Sequence, residues 1–167
     1  MRILDAPAVE SLIEETMVVD SMRDLFTLTP GSADIGFGRI DLAHPKGWLR
    51  SLPAYITSKD LLGFKVLHQT AGVGMRYMIY VHNLSTGELI GIVDALEVTN
   101  LRTGAVSAVA TDCMAIDEVD VAAIVGTGQV ARGQLRTLEL VRPATETRVF
   151  ARTPENRRAF LDEMAGF

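Results

Sequence analysis

Gly126-Thr127-Gly128-Gln129-Val130-Ala131 is the segment that most restricts how this chain can fold. It follows the apolar run Val121-Ala122-Ala123-Ile124-Val125 and precedes a helical pattern over 129–140 that Pro143 stops. A strand, a G-x-G-x-x-A turn and a helix form the opening of a dinucleotide-binding βαβ unit. Gly126 permits the tight turn out of the strand. Gly128 lets the backbone approach a pyrophosphate, and Ala131 lets the helix pack close to the strand. The helix N-terminus offers unpaired N–H groups and a positive dipole end to the phosphates. The short apolar run is expected to be a buried parallel strand. Its partner is expected over 147–150, followed by a helix with Thr153 as cap and Pro154 at the first position, running to Gly166.

The end of that second strand selects the nucleotide. An acid there would accept a hydrogen bond from the ribose 2′-OH of NAD. This chain reads Val149-Phe150-Ala151-Arg152-Thr153, with Arg157 and Arg158 one turn further on. No acid stands in the window, and an arginine there can pair with a 2′-phosphate. The reading favours NADP(H), with NAD(H) the alternative.

The residues before the glycine loop alternate between two periods. Asp5 is expected to cap a helix whose face carries Val9, Leu12, Ile13 and Thr16. A second helical face carries Val18, Val19, Met22, Leu25 and Phe26, ended by Pro30-Gly31. From Phe37 the period becomes that of strands, with Arg39 in the first. His44-Pro45-Lys46-Gly47 reads as a turn. Strands are then expected over 48–56 (weakened by Pro53), 61–68, 77–84 and 89–93, and a Ser85-Thr86-Gly87-Glu88 turn makes the last pair a hairpin. A helix rich in small residues occupies the stretch from Asp94 to Met114. The fold class is therefore α/β: a mostly antiparallel sheet with helices, then a partial βαβα nucleotide unit. The expected division is 1–117 and 118–167.

Composition excludes several classes. The 167 residues carry a net charge of −5, which argues against binding nucleic acid or an anionic membrane. No apolar stretch is long enough for a membrane span. The single cysteine, Cys113, leaves no internal disulfide and no cysteine-based zinc site. It is expected to be a small buried residue. His44, His68 and His82 show no metal-ligand spacing. The default compartment is the cytoplasm.

Several strings together resemble the ornithine cyclodeaminase/mu-crystallin family of NAD(P)-dependent proteins. They are Thr86-Gly87-Glu88-Leu89-Ile90-Gly91, then Leu101-Arg102-Thr103-Gly104-Ala105-Val106-Ser107-Ala108-Val109-Ala110, then the glycine loop, then 149–155. The resemblance implies a homodimer formed through the sheet domain and a Rossmann domain. It implies hydride transfer at the α-carbon of a small amino acid or imine. It also implies that Arg39, Lys65 and Arg102 hold the substrate carboxylate. Lys65 sits inside an apolar strand, and Arg102 stands near a helix start where the dipole prefers acids.

Two departures shape the expectation. The strand between Arg39 and Lys65 carries no acid to hold a substrate amine, so a ketimine is favoured over ornithine. The catalytic Asp implied by the family falls beyond Phe167, so no catalytic residue is assigned and the nucleotide domain is expected to be partial. The alternatives are an NADPH- and small-ligand-binding protein without turnover, or a dimerisation module.

Overall fold

The computed structural model describes residues 1–28 and 33–166. The helix end expected at Pro30-Gly31 lies outside the described residues. The chain divides into two compact units, one of residues 1–12 and 26–99, the other of 13–25 and 100–167.

The first unit is a sheet. Its strands are β1 (Arg2–Leu4), β2 (Ile35–Phe37), β3 (Ile40–His44), β4 (Gly47–Ile56), β5 (Leu61–Thr70), β6 (Gly74–Asn83) and β7 (Leu89–Asp94). Their order is β1-β7-β6-β5-β4-β2, with β3 also paired to β4. All pairs are antiparallel except β1 with β7. The hairpin expected across 85–88 forms between β6 and β7, the 44–47 turn joins β3 to β4, and β5–β6 adds a hairpin turned at Ala71-Gly72-Val73.

Pro53 does not break β4. Its carbonyl accepts from Gly38 N–H at 2.9 Å. Within an extended strand a residue's N and O point to the same side, so its nitrogen faces the seam between β2 and β3. β3 pairs up to Ser51 and β2 begins at Ala54. A missing donor costs no ladder bond there.

Helix α1 (Ala6–Leu12) begins as expected, with Ala8 N–H donating to Asp5 Oδ1 at 3.1 Å. It stops at Leu12, and α2 (Glu15–Thr27) starts after a break. The single face expected for Val9, Leu12, Ile13 and Thr16 is therefore wrong. Val9 is buried, whereas Leu12 is 62% exposed.

The second unit holds most of α2, the bulk of α3 (Leu96–Met114), β8 (Val119–Val125), α4 (Gln129–Val141), β9 (Ala144–Phe150) and α5 (Pro154–Glu163). Its two clusters are helical and βα in kind. Val18 and Val19 pack on Leu101, Ala105, Ala108 and Val109. Ile124, Ala131, Leu135, Phe160 and Met164 form the other cluster.

β8 pairs parallel with β9. Only its Ala122 and Ile124 are buried, and Val125 is 81% exposed. The expectation of a fully buried strand is corrected, because helices α4 and α5 cover one face alone. The last helix ends at Glu163 rather than Gly166, closed by Met164 N–H donating to Phe160 O at 2.9 Å. Cys113 is exposed, not buried, in the last turn of α3.

Ion pairs tie this unit together. Asp112 on α3 accepts from Arg23 Nη1 at 2.7 Å and also pairs with Arg142. The Arg23 hydrogen bond comes first among the causes that hold its carboxyl below the ordinary 3.8. Glu163 is likewise held below its ordinary 4.5, chiefly by hydrogen bonds from Arg132. A carboxylate with a depressed folded pKa stabilises the fold above its unfolded pKa and loses that contribution as pH falls through the folded value. Thermal stability is therefore expected to hold from pH 7 to pH ~5 and to drop progressively from pH ~4 downward. Melting curves of the chain and of Asp112→Asn check this. The variant should start lower and lose less on acidification, and parallel losses would exclude Asp112 as a contributor.

Candidate functional site

β8 and β9 end side by side, and Gly126 N–H donates to Phe150 O at 2.8 Å. The chain then turns sharply at Gly126, whose φ is +105°. A side chain is strained at that angle. Gly128 is the N-cap of α4 and has no side chain to cap it. No acid stands in the first turn of α4, so its leading N–H groups and positive dipole end are available to an anion.

Around this loop lies a pocket of about 640 Å³. Gly126, Thr127 and Gly128 line one side, and Arg152, Thr153 and Asn156 line another. A Cβ built at Gly126 or Gly128 meets nothing within 4 Å. The bare glycines thus leave open a cradle of the kind a pyrophosphate fills. Gln129, Val130 and Ala131 form the first turn of α4, with Ala131 buried against the strand side as its small size requires. Arg152 is exposed and makes no hydrogen bond or ion pair among the described residues. Thr153 accepts from Asn156 N–H at 3.4 Å as the cap of α5. No acid is among the pocket's lining residues. The set fits a dinucleotide.

Arg132 was not legible as a site residue in the sequence. Its Nη1 donates to Thr127 O at 2.7 Å, and its Nε donates to Glu163 Oε1 at 2.7 Å. The guanidinium lies 5.4 Å over the Phe160 ring. Glu163 and the ring thereby hold Arg132 where it fixes the glycine-loop carbonyl. The residue after Ala131 in a helix carries no local signal for this, because the carboxylate that holds it, on Glu163, lies 31 residues downstream.

The three cations assigned to substrate fall in both units. Arg39 is not in a strand as expected; it links β2 to β3, and its Nε donates to Asp41 Oδ2 at 2.5 Å. Lys65 is half-buried in β5, opposite Leu52 and Ile79. Beside it lies a hollow of about 270 Å³ lined by Leu52, Ile56, Gly63, Ile79 and Val81. Arg102 is exposed on α3 and makes no hydrogen bond or ion pair among the described residues. Asp94 caps α3 through Leu96 N–H at 3.1 Å, and Asp112 is engaged by its two arginines. Both acids therefore have structural employment.

The ornithine cyclodeaminase/mu-crystallin family profile matches residues 9–167. The chain belongs to that family. Ketimine reductase mu-crystallin of Mus musculus is 29% identical over 133 residues, covering 76% of this chain and 42% of that protein. Delta(1)-pyrroline-2-carboxylate reductase of Bacillus thuringiensis is 27% identical over 129 residues, covering 74% of this chain and 40% of that protein. The structure of Thermococcus litoralis Delta(1)-pyrroline-2-carboxylate reductase with NADH and L-proline superposes with a TM-score of 0.88 at 25% identity. That match covers 99% of this chain and 54% of the other. The chain thus spans about half the length of the family members it matches. No described helix is long and apolar enough to cross a membrane.

Proposed function

We propose that this chain carries the NADP(H)-binding loop and the carboxylate-binding residues of an imine reductase. In this reading residues 1–117 serve substrate binding and homodimerisation through the sheet, and 118–167 serve the nucleotide. The protein would work in the cytoplasm on a small α-imino or α-amino acid, with a cyclic ketimine favoured over ornithine. The observation that carries the reading is the pocket at the ends of β8 and β9, with bare glycines on one side and, on the other, Arg152, unpaired among the described residues.

Bound NADPH would supply a hydride to the imine carbon. The leading amides of α4, at Gln129 and Val130, would hold the pyrophosphate. Arg152 and Thr153 would take the 2′-phosphate through charge-assisted hydrogen bonds. Arg39, Lys65 and Arg102 would orient the substrate carboxylate. The apolar hollow beside Lys65 suits an aliphatic ring better than an ammonium group, which would lack a counter-ion there.

A fluorescence titration tests this. NADPH emission should rise saturably on adding the chain, and an unchanged spectrum at high cofactor would overturn the nucleotide reading. Arg152→Ala should weaken NADPH by roughly tenfold or more, the scale of one charge-assisted contact, while NADH changes little. Equal losses would remove Arg152 from the 2′-phosphate site.

A further inference from the structure

The first unit holds a pair of arginines that the reading above uses only in part. Asp41 on β3 accepts from Arg39 Nε at 2.5 Å through one oxygen and from Arg50 Nε at 2.6 Å through the other. Among the described residues the terminal Nη groups of both arginines donate to nothing. One carboxylate therefore pins two guanidiniums by their inner nitrogens and leaves their outer, fork-shaped donors free. Such forks match carboxylates bidentately.

Arg50 is placed toward the substrate residues. It lies in β4 opposite Leu67, while Lys65 lies in β5 opposite Leu52. The two cations are diagonal neighbours on one sheet face, at a spacing of about 7 Å. Arg50 is 28% exposed at its side chain and rests 5.2 Å over the Trp48 ring. Trp48 is held in turn by its Nε1 donating to Gln69 Oε1 at 2.9 Å.

One substrate carboxylate accepts about four hydrogen bonds. The residues that the proposed function assigns to it, Arg39, Lys65 and Arg102, would already supply that number. A further cation on this sheet face, beside Lys65, is surplus for a monocarboxylate and repels a substrate amine. We propose that Arg50 is a specificity residue for a second, distal carboxylate, so that the substrate class is a dicarboxylic imino acid. Asp41 is its positioning residue. This rests on the reading that this sheet face holds the substrate.

The chain's single tryptophan reports on Arg50 directly. Succinate and butyrate, equal in chain length, are titrated against the full chain by Trp48 fluorescence. Succinate should give a saturable change at least tenfold tighter than butyrate. Arg50→Gln should erase that preference and leave butyrate within twofold, with far-UV circular dichroism unchanged. Asp41→Asn should reduce the preference while Arg50 is still present. Equal affinities for the two acids, no saturable response to succinate, or an equal loss of both in Arg50→Gln would overturn the assignment. NADPH fluorescence is measured in parallel. Cofactor binding without succinate preference sinks this proposal alone, and succinate preference without cofactor binding supports it and sinks the nucleotide reading.

Discussion

Leucine in place of Gly104 is expected to lower the melting temperature by about 10 °C. Gly104 on α3 and Gly133 on α4 sit where the two helices touch backbone to backbone. A Cβ at Gly104 would strike the carbonyl of Gly133, and one at Gly133 would stand 2.5 Å from Asn100 O. Both obstacles are main chain, so no side-chain rotation relieves them. The helices must part, and Leu101 and Ala105, fully buried beside the crossing, lose contacts with their neighbours. Overpacking of this kind costs about 3 kcal/mol. At about 2–4 °C per kcal/mol for a chain of this size, the fall is measurable by circular dichroism. A shift under about 2 °C would mean that the crossing yields freely.

Valine in place of Gly126 is expected to weaken NADPH by about a hundredfold or more. The φ of +105° at Gly126 is an outlier for a β-branched residue and carries strain of about 1–3 kcal/mol. The loop can escape only by rotating its peptide groups, which turns the amides away from a phosphate. The new side chain would also project into space that is open in this structure. NADPH fluorescence reads the loss, and the circular-dichroism spectrum should stay that of the unsubstituted chain. Unchanged affinity would dismiss the loop as the phosphate site.

Much of the fold was legible because its signals are local. Asp5 and Thr153 cap the helices expected of them. Most of the sheet strands and the β6–β7 hairpin follow from alternation and turn residues. The glycine loop stands between strand and helix as its spacing implies. Errors arose where the deciding contact is distant. β1 is three residues long and exists through its parallel pairing with β7, which no local period reveals. The helix expected through Leu12 and Ile13 breaks there, where the chain leaves one unit for the other. Arg39 falls outside a strand because β4 takes β2 and β3 as separate partners.

The sequence by itself determined most of the element types, the glycine loop and the absence of an acid over 149–153. These depend on residue size, backbone freedom and charge within a few positions. The tertiary structure alone decided which side chains meet. It set Arg132 on Thr127 and Glu163, Asp41 between Arg39 and Arg50, and Gly104 against Gly133. The longer of these pairs form where register and helix crossing bring together residues 9 to 31 positions apart. Spacing along the chain does not encode that.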